Sequence, residues 1–509
     1  MSSDAASPSR LQVNGRDYTM PRVPIVGICL DGCEPAYLDE AASQMPHLAA
    51  IVSDGVRGEA HTVVPSFTNP NNVAIVTGVP AAINGIAGNF YYDAETDSEV
   101  LMNDPRWLRC PTLLATFSQA ELDVAAVTTK DKLRAFLAQG LAEGAVAFSV
   151  EKANEAQVAT HGIGGVLEMV GRANPGIYDP EASVFCIEAG ARLMDRKATD
   201  VLYLSTTDFV QHKWAPHEPE AIAFYARLDE FLGQLHASGA IVAITADHGM
   251  NGKTMEDGSP NVRYLETILV DSGVAEARVI LPITDPYVVH HGALGSYATV
   301  YVDDHHVTVA AQRLRGIDGV EAVHTRAEAA ERFQLPPDRI GDLVVLADRG
   351  TVLGRTPDWH DLSDVADGLR SHGGLHEATV PFIVNRPFVP EDLIAIEQKM
   401  KEFAAQNLPF KRRMLSKEEA KDYFHDKAES LKVQLIEEKG GPVVSCYTIG
   451  EVFIDFCTGP HVPSTGRLKA FKVLNSSNAY WKGDAQNQPM QRIYGTAFFK
   501  ESELKKHLH

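Results

Sequence analysis

Residues able to do chemistry recur where apolar runs give out. Asp247 and His248 follow IVAITA (241–246), and Asp31 follows VPIVGICL (23–30). Asp208 and His212 follow DVLYLSTT (200–207) at a four-residue spacing, which a helix would put on one face. An aspartate oxygen beside an imidazole nitrogen is a donor set that suits zinc or a similar divalent metal. Each has a plainer reading: Asp31 and Asp247 as turn or helix-capping residues, Asp208 and His212 as an i,i+4 ion pair. Thr68 stands before Asn69, Pro70 and a helical run. It fits an N-cap, and equally a nucleophile, because a helix N-terminus offers free N–H groups and partial positive charge to an anion. Lys130 and Lys132 come just past ELDVAAVTT, either as anion-binding cations or as a solvated strand end. Asn89 lies in a loop of small residues (78–93), and SHGGLHEATVPFIV (371–384) carries His372 and His376.

The elements that must position these groups are legible as short apolar runs and periodic segments. The runs ending near Asp31, Asp208 and Asp247 suit strands buried on both faces of a parallel sheet, whose carboxyl ends open onto a ligand crevice. MPHLAAIVSDG (45–55) and ARLDEFLGQLHASG (226–239) read as helices. VNGRDY (13–18) carries an Asn-Gly turn signal for a small hairpin within an otherwise flexible N-terminus, 1–20. Short strands over about 260–352 suggest a smaller α+β cap on the crevice, with His290–His291 and His305–His306 as loop residues at its entrance.

Composition narrows the functional classes. The 509 residues are enough for more than one core, and 45% hydrophobic with 22% charged residues is ordinary for a globular protein. Six cysteines without framework spacing argue against a disulfide scaffold and for a reducing compartment. No signal-like segment opens the chain, and no apolar run approaches the roughly 20 residues that span a bilayer, so a cytoplasmic protein without membrane partners is expected. The net charge of −21 disfavours binding of nucleic acid by the chain as a whole. Up to residue 388 there are 28 Lys plus Arg against 51 Asp plus Glu; beyond it, 18 against 16. Lysine use switches as well, from 6 Lys and 22 Arg to 14 Lys and 4 Arg. Folding demands no such switch, so the chain reads as a composite joined near residue 388.

Strand-Asp-Gly at Asp31, Thr-Asn before a helix at Thr68, DxxxH at Asp208–His212, DHGM at Asp247–His248 and HGGLHE before the last strand occur in that order. Together they resemble the alkaline phosphatase superfamily, and within it the phosphonoacetate hydrolases, near the nucleotide pyrophosphatase/phosphodiesterase branch; the likeness spans about 20–388. VPIVGICLDG, PSFTNPNNVAIVTG, Asn89 and TTKDKLRAF carry the closer likeness. It implies an α/β fold, a doubly wound sheet with the smaller cap. It also implies two zinc ions, with manganese or iron as alternatives for the same ligands. Asp31, Thr68, Asp247 and His248 would hold one ion; Asp208, His212 and His376 would hold the other. Thr68 would be the nucleophile, and Asn89, Lys130 and Lys132 would bind a small phosphonate. The implied reaction cleaves phosphonoacetate to acetate and phosphate through a phospho-threonine. A phosphodiesterase or nucleotide pyrophosphatase with the same site is the alternative, and a homodimer is compatible with either.

From about 389 to 509 the chain forms a separate α+β domain. EDLIAIEQKMKEFAAQ reads as an amphipathic helix, SKEEA as a capping box, and strands follow. FCTGPHVPSTG and QRIYGTAFF resemble the second additional domain of threonyl-tRNA synthetases. In that family a CxxxH joins an upstream HxxxH to make an editing centre. Cys457 and His461 match the first half as weak metal candidates, and no helical HxxxH precedes them in this piece. The expectation is an RNA-contacting or inert appendage, with editing of tRNA the less favoured reading.

Overall fold

The computed structural model describes residues 10–176, 178–274, 276–285, 292–365, 368–387, 390–427, 429–450, 453–483 and 489–508. The chain divides into two compact units, one of residues 1–54 and 58–385 and one of residues 55–57 and 386–509.

The larger unit is built on a seven-stranded sheet in the order Val56–His61, Thr379–Val384, Ile241–Thr245, Ile25–Cys29, Val201–Ser205, Val124–Thr128, Val146–Ser149. The last five run parallel, and Thr379–Val384 pairs antiparallel with Ile241–Thr245. Alternate residues of each strand feed opposite faces. Val26, Ile28, Ala125, Val127, Leu202 and Leu204 join one core with the helices Glu181–Arg196 and Pro219–Ala237. Cys29, Val124, Ala126, Val201 and Tyr203 join another with Val76 and Leu133 from the helices Thr68–Thr77 and Asp131–Ala138. Helices therefore cover both faces, as a doubly wound sheet requires.

The expected cap is a four-stranded antiparallel sheet, Arg278–Ile280, Tyr297–Tyr301, Leu343–Ala347 and Val320–Thr325, with its own core. Phe67, next to Thr68, is buried in that core. The expectation of a flexible start needs correction for residues 10–19. Arg10–Val13 pairs with Arg16–Thr19 across Asn14 and Gly15, both at positive φ. Asn14 Nδ2 donates to the Thr77 and Pro111 carbonyls, which ties the hairpin down. The His305 and His306 rings lie tilted against one another at the start of helix Val307–Arg315 beside Asp303, His305 exposed and His306 half-buried. His290 and His291 lie outside the described residues.

The smaller unit opens with helix Pro390–Gln406, which stops where Asn407 turns to positive φ. A three-stranded antiparallel sheet, Phe410–Ser416, Val443–Ile449 and Phe453–Phe456, packs on helices Lys417–His425 and Ser430–Lys439. The capping box read in SKEEA is present between Ser416 and Glu419. A long hairpin, Ala470–Tyr480 with Pro489–Phe498, and helix Glu501–Leu508 complete it. No helix is long and apolar enough to cross a membrane among the described residues.

Candidate metal centre and nucleophile

Strand register brings the aspartates together. Thr245 pairs with Cys29, Cys29 with Ser205, and Ser205 with Thr128, so four parallel strands end side by side. Asp247, Asp31 and Lys130 each sit two residues past such an end, and Asp208 sits three past. The plainer capping readings do not hold for these side chains. Asp208 is an N-cap residue whose side chain makes no cap bond, and Thr68 is the first helical residue, with Phe67 as the cap. Glu34, not Asp31, caps the helix Pro35–Ala41. The chain turns from Asp31 at Gly32, φ 74°, where an added Cβ would come 3.0 Å from Asp208 Cβ. Only glycine lets the two aspartate segments approach so closely.

Two groups of donors result, Asp31–Asp247–His248 and Asp208–His212–His372, all buried. In each of the three histidines Nδ1 lies on a backbone carbonyl: His248 on Gly249 at 2.9 Å, His212 on Arg370 at 2.7 Å, His372 on Ser66 at 2.8 Å. With Nδ1–H as the donor, each imidazole in its neutral form would keep the Nε2 lone pair for the cluster. Asp208 Oδ2 is 3.0, 3.7 and 3.9 Å from Nε2 of His212, His372 and His248. The His248 and His372 rings stack at 3.5 Å.

His376, expected in the second group, is elsewhere. Its Nε2 meets Glu321 at 2.9 Å near the surface, and His372 occupies the place it was assigned. The loop explains the exchange. Gly373 adopts φ 117° with Phe67 against it, which turns His372 inward, and the next turn carries His376 toward the strand Val320–Thr325. A hydrogen bond to Glu321, opposed by burial, raises the His376 pKa.

The Thr68 hydroxyl is 3.4 Å from His248 Nε2. Asn72, one turn along the same helix, donates to Asp247 Oδ2 at 2.9 Å and accepts from Tyr203 and Ser205, so helix and sheet hold the carboxylate jointly. Thr68 opens into a pocket with Asn69, Asn89, Lys130, Lys132, Ile283 and Asp285. Asn69 donates to Asn89 Oδ1 at 2.7 Å, and its own oxygen is buried without a partner. Lys130 reaches Asp208 Oδ1 at 3.1 Å and Asp31 Oδ2 at 3.7 Å, so it lies on the carboxylates, while Lys132 pairs with Asp285. Sequence reasoning missed Asn69, Asn72, His372 as the inward histidine, and Asp285. Only His372 carried a signal, as the other histidine of the same loop.

The two donor groups are chemically suited to divalent cations. Neither oxygen of the buried Asp31 carboxylate makes a well-formed hydrogen bond; His248 Nε2 stands 3.2 Å from one and Lys130 Nζ 3.7 Å from the other. Burial and the Asp31 carboxylate push Asp247 up to about 8. Burial works against a charged His248, yet Asp247 and Asp31 outweigh it and raise it to about 9. Burial likewise opposes a charged Asp208, and Lys130 and His212 hold it well below the usual carboxylate range. His372 is driven well down by burial and by His248 and His212, which keeps it the neutral imidazole a metal takes. The raised Asp247 and His248 hold protons where a cation would otherwise offset the carboxylate charge.

In the smaller unit His461 Nε2 is 3.2 Å from Cys457 Sγ, with Phe410 and Tyr447 against its ring. Among the described residues no third donor joins them in a metal-ligand group.

A family model described as type I phosphodiesterase / nucleotide pyrophosphatase matches residues 25–375. The chain belongs to this family. This type I phosphodiesterase relative resembles the crystal structure of phosphonoacetate hydrolase from Sinorhizobium meliloti 1021 in complex with phosphonoformate. The two are 51% identical, the match covers 76% of this chain and 95% of that one, and the TM-score is 0.73. The same hydrolase in complex with phosphonoacetate matches at 50% identity, with the same coverage and TM-score. Murine ectonucleotide pyrophosphatase / phosphodiesterase 5, 17% identical with a TM-score of 0.50 over 72% of this chain and 88% of that one, shares the fold. The threonyl and alanyl tRNA synthetase second additional domain matches residues 444–494. Threonine–tRNA ligases of Laribacter hongkongensis and Methylococcus capsulatus are 49% and 51% identical over 129 and 128 residues, 25% of this chain. The match covers 20% of each ligase, so the chain spans about a fifth of their length.

Proposed function

We propose that the chain is a two-zinc hydrolase that cleaves the carbon–phosphorus bond of phosphonoacetate to acetate and phosphate. The observation that carries this reading is a threonine hydroxyl beside two buried Asp/His donor groups, in one pocket with Asn89 and Lys132. The likeness to a hydrolase crystallised with phosphonoacetate supports the substrate. One ion is assigned to Asp31, Thr68, Asp247 and His248, the other to Asp208, His212 and His372. Ions held there would supply positive charge that acidifies the threonine hydroxyl and offsets the phosphonyl oxygens.

Thr68 attacks phosphorus from the first turn of its helix, and the carbon–phosphorus bond breaks as the oxygen–phosphorus bond forms. The departing carbon pair delocalises into the adjacent carboxylate as an enediolate, next to Lys132, and takes a proton to become acetate. Stabilisation there appears only as the bond breaks, so it lowers the barrier instead of merely binding substrate. Asn89, held by Asn69, orients a phosphonyl oxygen. Water then cleaves the phospho-threonine and releases phosphate.

Metal analysis with phosphate release from phosphonoacetate tests this. About two zinc per chain are expected, and Thr68→Ala should fold normally and lose at least about 10³-fold in turnover. A variant that keeps most of its turnover would remove the threonine mechanism. The phosphodiesterase reading keeps the same residues and predicts the higher kcat/KM on a nitrophenyl diester; the lysine in the pocket favours the carboxylated substrate.

A further inference from the structure

Lys132 extends from the first turn of helix Asp131–Ala138, and Asp285 from the cap segment after strand Arg278–Ile280. Their side chains pair inside the pocket, 17% and 6% exposed. Lys130, by contrast, lies on Asp208 and Asp31. Of the two lysines, one therefore serves the aspartates and the other faces a partner outside the donor groups. We propose that Asp285 is a positioning residue that fixes the Lys132 ammonium as the subsite for a substrate's second anionic group. That group is a carboxylate in the reading above, on which this inference rests.

Three features carry it. An ammonium has three donors, and one carboxylate oxygen does not exhaust them, so a pocket lysine held by Asp285 retains capacity for a second acceptor. A lysine left alone would sample many rotamers and pay ordering entropy on binding; the pairing settles that before the ligand arrives. The segment bearing Asp285 is also locked to Asn89, whose backbone N–H donates to Pro282 O at 2.8 Å and whose side chain donates to Ile283 O at 3.3 Å. The spacing between the phosphonyl contact and the second anion contact is thus set by one continuous piece of the cap. Burial lowers the Lys132 pKa, and Asp285 counteracts part of that shift.

The test is calorimetry on the zinc-loaded full chain, wild type and Asp285→Asn, with phosphonoformate and with inorganic phosphate. The asparagine keeps the shape and an acceptor oxygen but drops the charge. Phosphonoformate affinity should fall about tenfold while phosphate affinity moves less than about twofold; Asp285→Glu should recover part of the preference. Equal losses for both ligands would mark a merely structural role and overturn the inference, as would an unchanged ratio. A wild-type chain that prefers phosphonoformate but releases no phosphate from phosphonoacetate leaves the subsite standing and removes the hydrolase reading. One with no preference overturns the subsite itself.

Discussion

His372 and His376 share a loop, four residues apart, and meet different partners. His372 rests Nδ1 on the Ser66 carbonyl and is 3% exposed, whereas His376 pairs with Glu321 at the surface. The consequence is measurable in metal content. His372→Asn should weaken binding of one cation by more than the roughly 10–100-fold that loss of an outer contact costs. His376→Asn should leave both cations bound with unchanged affinity. Competition against a chelator reads both, and the opposite ranking would return His376 to the centre.

At the scale of elements, the loop that presents His372 is held by a buried polar knot. Lys253, fully buried, contacts Glu377 Oε1 at 2.9 Å and the Arg349 carbonyl at 2.8 Å. Asn251 donates to the same Glu377 oxygen, and Glu377 Oε2 accepts from the Gly374 N–H. One end of the knot follows the strand Ile241–Thr245, and the other precedes Thr379–Val384, its antiparallel neighbour. Lys253→Met would strand a buried carboxylate, at a cost of about 3–5 kcal/mol. Adding Glu377→Gln removes the orphaned charge, so the double variant should melt above the single one. If Lys253→Met melts like the wild type, the knot does not hold the loop.

At the scale of the molecule, the two units match two different families, and the smaller unit has its own electrostatic anchor. Glu397, in helix Pro390–Gln406, bonds Lys401 at 2.7 Å, Lys472 at 2.8 Å and the Val473 N–H at 3.1 Å. Burial opposes its charge, and these contacts outweigh it, lowering Glu397 to about 2. A carboxylate depressed in the folded state adds stability that is full above its ordinary pKa of 4.5 and vanishes as pH falls toward about 2. Glu397→Gln should therefore cost about 1–3 kcal/mol at pH 7, and variant and wild type should converge near pH 2 in urea unfolding. A gap that persists at low pH would assign the loss to packing.

Much of this was written along the chain. Apolar runs that stop at Asp31, Asp208 and Asp247 specify strands and what stands at their ends, because a strand buried on both faces needs continuous apolar residues and its terminus does not. The switch from arginine to lysine near residue 388 suggested a composite chain, and Ser416–Glu419 marked a helix start, since both are local signals. Which histidine turns inward was not local: it depends on Gly373 yielding to Phe67 and on a carbonyl 306 residues away in sequence. The pairing of Lys132 with Asp285, 153 residues apart, belongs to the same class. Composition and periodicity report a residue's own backbone and burial. Partners are chosen by how the sheet, the helix Thr68–Thr77 and the cap close on one another, and only the folded chain holds that information.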